Sequence, residues 1–64
     1  MIVLQAIVAL PKRYKEAMYW HYYIGYSVEE TAKLLHISAS AVKMRLLRGR
    51  EMIKTMLTEQ EEET

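Results

Sequence analysis

Residues 27 to 54 read SVEETAKLLHISASAVKMRLLRGREMIK, and this stretch decides the fold. Ser27 can cap a helix through its hydroxyl while Glu30, three residues on, reaches back to the Ser27 amide, so a helix is predicted to start there. Val28, Thr31, Ala32 and Leu35 follow at helical spacing on one side, which leaves Glu29, Glu30 and Lys33 for water. The periodicity stops at His36. Ser38 then offers a second cap for a helix from Ala39 to about Leu57. Two helices joined by a turn of about three residues form a helix-turn-helix. Ala32 lets the two backbones approach at their crossing, unless it is present only as a good helix former. His36 stands where the turn wants positive φ, a region His reaches more often than most non-glycine residues.

Successive residues of the second helix advance about 100° around its axis. Val42, Leu46, Gly49, Ile53, Met56 and Leu57 therefore share an inward stripe. Opposite it, toward the helix start, stand Ser40, Met44 and Leu47. Lys43, Arg50 and Lys54 lie on one flank of that ridge, and Arg45 and Arg48 on the other. Flanking cations suit phosphates on both strands of a duplex and the ridge suits base edges, which is the arrangement of a helix laid in the major groove. A charged face that is merely solvated is the plainer explanation. Charge concentration favours the groove: residues 41–54 hold five Lys or Arg and one acid, although the whole chain is only +1. The compensating charge is EQEEET at the end of the chain, four glutamates expected as a solvated acidic tail over 59–64, with folding back over the basic helix as the alternative.

Outward from the motif, Leu4, Ile7 and Val8 are spaced for a short amphipathic helix that Leu10-Pro11 ends. Pro11 suits the first position of a helix over Lys12 to Ile24, stopped by Gly25 as its C-terminal cap. Tyr14, Ala17, Met18 and Tyr22 give this helix an inner face, and Lys12, Arg13 and Lys15 make a second basic cluster. The fold expected is all-α, a small four-helix domain over 1–58 with a C-terminal helix-turn-helix. At 64 residues it buries only about 60 per cent of its unfolded surface, so its stability should be modest. The aromatic run YWHYY at 19–23 is too dense for every ring to face inward. Core packing is expected for most of these rings, and a partner-binding patch is the alternative, since Tyr and Trp are frequent interface anchors.

Catalysis finds no foothold in these residues. Cysteine is absent, which removes thiolate chemistry and disulfides. His21 and His36 are not at metal-ligand spacing, no nucleophile has a sequence-visible base, and no glycine-rich phosphate loop exists. The expectation is a protein that is not an enzyme and needs no cofactor or metal. No apolar stretch reaches membrane-spanning length, so the chain is expected to be soluble and cytoplasmic, with no membrane partner.

The run ALPKRYKEAMYWHYYIGYSVEETAKLLHISASAVKMRLLRGREMIKTML closely resembles region 4 of bacterial RNA polymerase sigma factors of the sigma-70 family, particularly the extracytoplasmic-function class. Leu10-Pro11, Arg13-Tyr14, Gly25, Ser27, Glu29-Glu30, Ala32, Ile37-Ser38, Val42-Lys43, Arg45-Leu46, Arg48 and Arg50 carry the resemblance. It implies recognition of the −35 promoter element in double-stranded DNA during transcription initiation. It also implies docking on the flap of the polymerase β subunit, with an anti-sigma protein as a further candidate partner. Carried over by position, Lys43, Met44, Arg45 and Arg48 contact DNA, and Ser38, Ala39 and Ser40 lie near bases or phosphate. With Leu47 of the ridge and Arg50 of the flank, these make up the expected DNA-binding set. The chain departs from the family pattern at His36, where Gly is usual, and at Thr31, where an aliphatic residue is expected. It departs again at Met44 for a small polar residue and at Gly49 for Ala. Met44 could meet thymine methyl groups. Gly49 should weaken the long helix by about 1 kcal/mol relative to Ala.

The region of such factors that recognises the −10 element and melts DNA is not among these residues, so this chain alone is not expected to start transcription. Two other readings share the helix-turn-helix or the aromatic run. A DNA-binding domain of a response-regulator-type transcription factor would usually dimerise on palindromic half-sites. A protein-interaction module would use the YWHYY surface.

Overall fold

The computed structural model describes the backbone of residues 2–63 and the side chains of residues 4–59. Four helical segments make up the fold, and the described residues contain no strand. Helix α1 is Ile2–Val8, α2 is Lys12–Met18 and continues as a π-helix over Tyr19–Ile24, α3 is Val28–Leu35, and α4 is Ala39–Glu63. The three shorter segments gather around the first two thirds of α4, whose 25 residues give the molecule its length of 41 Å.

Each boundary has a local cause. Pro11 precedes α2 with φ −54° and ψ 149°, so it takes the N-cap, one position before the one expected, and its carbonyl accepts from the amides of Tyr14 and Lys15. Ser27 and Glu30 form the complete capping box: the Ser27 hydroxyl accepts from the Glu30 amide at 3.0 Å and the Glu30 carboxylate from the Ser27 amide at 2.8 Å. His36 ends α3 in the left-handed region at φ 59°, as its place in the turn predicts. Ser38 then caps α4, its hydroxyl accepting from the Ala41 amide at 3.0 Å.

The helix expected over Lys12 to Ile24 is continuous but changes type. After Met18 the turn widens, and the amides of Gly25 and Tyr26 both close on the Trp20 carbonyl. Gly25 stops it at φ 101°, a conformation in which a Cβ would be strained. Widening moves Tyr22 off the inner face predicted for it. Tyr14 remains half-buried and Ala17 and Met18 remain core, but Tyr22 is 45% exposed. Val8 on α1 is likewise exposed, while Ile7 is buried and Leu4 half-buried. At the other end, α4 does not stop near Leu57 but runs on through Glu63. Glu59 is exposed, and the side chains from 60 to 64 expected in the solvated tail lie outside the described residues.

Ile7, Leu10, Ala17, Met18, Ala32, Val42 and Leu46 form the core, with Val28, Leu35, Ile37, Met52, Ile53 and Met56 packed around it. Ala32 is 7% exposed at the place where α3 meets α4, consistent with a small residue at a close crossing. Gly49 does the same for α2. A Cβ built there would lie 2.8 Å from Met18 Cγ and 3.0 Å from its sulfur, so the glycine makes room for a methionine.

Candidate nucleic-acid interface

The interface begins with the cap. By ending one helix in a left-handed residue and starting the next at Ser38, the turn sets the first turns of α4 across α3. Burying Val42, Leu46 and Gly49 against the core then fixes the rotation of α4 about its axis. The face opposite is thereby turned to solvent: Ser40 is exposed, Met44 is 50% exposed and Leu47 45%. Two large apolar side chains left open on a helix this well anchored form a ridge with no partner inside the described part of the molecule.

Around that ridge the expected residues divide. Ser38, Lys43 and Arg48 are exposed, while Ala39 and Arg45 are half-buried at the edge of the packed face. Arg50, also exposed, is tied down: its guanidinium donates to the Tyr22 hydroxyl at 3.0 Å. This bond draws Arg50 toward the π-helix and away from the other cations. Lys54 lies on the same side. Arg48 instead borders a shallow hollow beside Tyr14, Glu51 and Met52. The Arg13 guanidinium stands 5.9 Å from the centre of the Tyr14 ring, so part of the second basic cluster approaches the Arg48 flank.

The aromatic run also divides. Tyr19 packs against the core, stacked on Tyr23 with ring centres 5.4 Å apart, and Trp20 is stacked on Tyr26 at 5.8 Å. His21 Nδ1 donates to the Tyr26 carbonyl at 2.7 Å, which fixes the chain as it leaves the π-helix. Tyr23 is 58% exposed and Ile24 and Tyr26 are exposed beside it. The density of the run foretold that some rings would lie outside. Which ones do depends on the π-helical turn, which leaves no mark in hydrophobic spacing.

A half-open groove separates the second half of α4 from α1 and the π-helix. Ile7 and Met18 form one wall and Ile53 and Leu57 the other, with Arg50 and Lys54 at the rim. No acid lines it among the described residues. Sequence reasoning assigned Arg50 and Lys54 to a phosphate flank and did not find this groove, because its far wall comes from α1 and the end of α2.

A capped pair of short-turn helices whose second member stands out from the body with cations around an uncharged ridge defines a helix-turn-helix domain of the DNA-binding kind. The family model for sigma-70, region 4 matches residues 1–53, and the chain belongs to that family. It is thus a DNA-binding domain of the kind sigma factors use in promoter recognition, with DNA and RNA polymerase as the family's partners. No curated protein and no solved structure matches the chain. No described helix is long and apolar enough to cross a membrane.

Proposed function

We propose that this chain reads the −35 promoter element as an extracytoplasmic-function type region 4, with the start of α4 in the major groove. The exposed ridge of Ser40, Met44 and Leu47 on a helix held by Ser38 and a buried opposite face is the observation that carries this reading. In it, Met44, Leu47 and Ser40 meet base edges, and Lys43, Arg45 and Arg48 meet phosphates on the two sides. Ser38 and Ala39 lie at the helix start, where backbone amides can approach a phosphate. Arg50, held by Tyr22, is the one member of the expected set that this reading leaves outside the interface.

Selection of bound duplexes from a random pool, by this chain fused to a polymerase-binding partner, tests the reading. A common motif that changes when Met44 is replaced supports it, and failure to enrich any sequence removes it. Docking on the β flap is part of the proposal, and the exposed Tyr23, Ile24 and Tyr26 offer a surface for a protein partner. If the flap binds equally well when Lys43, Arg45 and Arg48 are neutralised, and neither form binds DNA, the chain is an interaction module instead.

A further inference from the structure

Sulfur occurs in this chain only as thioether, since its five methionines are accompanied by no cysteine. A two-electron oxidant that attacks sulfur therefore has methionine as its target, and it must reach the sulfur from solvent. The fold grades the methionines by access. Met18 is 4% exposed and held against Gly49, while Met52 and Met56 are half-buried against the core. Met44 is 50% exposed and stands in the ridge between Ser40 and Leu47. The most open methionine among the described residues is thus at the centre of the face turned away from the core.

We propose that Met44 is a reversible oxidation site of this chain, and that its sulfoxide changes which base pairs the helix prefers. The second half rests on the reading in which the ridge meets base edges; the first does not. A peroxide balances the reaction. A sulfur lone pair attacks one peroxide oxygen, and the O–O bond breaks as the S–O bond forms. The remaining oxygen takes up the released proton and leaves as water, or as an alcohol from an organic peroxide. Sulfur loses two electrons and the peroxide gains them. A methionine sulfoxide reductase reverses the change. The consequence for DNA follows from the code of the major groove. The thioether presents an apolar surface suited to the thymine methyl group. The sulfoxide presents a strong acceptor and no donor. It opposes the acceptors N7 and O6 of guanine and O4 of thymine, and it favours the amino groups of adenine and cytosine. Met44 takes no part in the core, so the fold tolerates an added oxygen there, whereas the same oxygen on Met18 would disrupt packing. A duplex laid on the ridge covers Met44, so the oxidation belongs to the free chain.

Treatment of the free chain with hydrogen peroxide, followed by peptide mass spectrometry, tests the first half. Sulfoxide should accumulate at Met44 severalfold faster than at Met18, Met52 or Met56, with helix content unchanged by circular dichroism. Methionine sulfoxide reductases should then restore the thioether. Selection of bound duplexes before and after peroxide tests the second half. Oxidation should weaken binding to the original motif about tenfold, the scale of one mismatched base pair, and bring adenine or cytosine to one position of the motif. Whatever sequence M44L prefers, it should prefer the same one after peroxide. Met52 or Met56 oxidising as fast as Met44 overturns the proposal. So does an oxidised wild type that keeps its motif and affinity, or an M44L variant that shifts with peroxide as the wild type does. A chain that enriches no sequence even before peroxide removes the base reading and the switch together. An unchanged preference after oxidation removes the switch and leaves the reading standing.

Discussion

Thr31 is fully buried and its hydroxyl has no hydrogen-bond partner. The threonines further along show what it lacks, since Thr55 and Thr58 each donate to the carbonyl four residues back, at 3.1 and 2.9 Å. An orphaned buried hydroxyl costs about 1 to 3 kcal/mol. Thr31→Val keeps the shape and should raise stability by about 1 kcal/mol in chemical denaturation. Gly49 is the converse case. Helix propensity alone favours Ala by about 1 kcal/mol, but the new methyl would press on a buried Met18. Gly49→Ala should therefore gain nothing in the wild type and about 1 kcal/mol in a Met18→Ala background. Equal effects in both backgrounds would remove the contact argument. Glu30 completes the residue scale. Hydrogen bonds from the Ser27 amide and then the Ser27 hydroxyl hold its carboxyl below the ordinary carboxylate value. A group with a depressed folded pKa stabilises above its unfolded pKa and loses that contribution as the pH falls through the folded one. The stability difference between wild type and Glu30→Ala should thus be full at neutral pH and shrink in acid, as thermal melts across that range will show. Ser27, Glu30 and His36 were legible because their partners lie within a few residues. Thr31 and Gly49 were not, since what surrounds them comes from other helices.

At the scale of elements, hydrophobic spacing located all four helices and the inward stripe of α4. Val42 is wholly buried, Leu46 and Gly49 are buried, and Ile53, Met56 and Leu57 are half-buried, so burial falls off along the stripe toward the far end of the helix. Spacing failed where the period itself changed. From Tyr19 the chain follows a π-helix, so a residue placed on the inner face by a 3.6-residue period turns outward. Tyr22 is that residue, and the same displacement lets it accept from Arg50. The end of α4 was misplaced for a different reason. A run of glutamates signals a solvated segment, but Glu is also a good helix former, and nothing in the run interrupts the helix. The bond from Arg50 to Tyr22 was hidden for the same reason, because a face drawn for α4 alone cannot show what the π-helix holds out to it.

Across the whole molecule, a 64-residue domain with one helix to lay in a groove covers few phosphates. The isolated chain should bind duplex DNA weakly, near the nonspecific range of about 10⁻⁴ to 10⁻⁶ M, and lose affinity steeply with salt. Attachment to polymerase would raise the effective concentration of the reader at its site. Arg48→Ala should weaken binding to every sequence alike and lower the salt slope by about one. Met44→Ala should instead change which sequence is preferred, and equal losses on all duplexes would count against a base-reading role. These outcomes are checked by fluorescence anisotropy on a panel of duplexes at several salt concentrations.

The unbroken length of α4 has a mechanical meaning. Twenty-five residues make a rod of about 37 Å, held along its first two thirds by the three shorter segments. A rod clamped over most of its length is a cantilever. A load on its far end passes into the core through the close fit of Gly49 on Met18 before it reaches the start of the helix. The buried Val42 and Leu46 then hold the first turns of α4 steady against it.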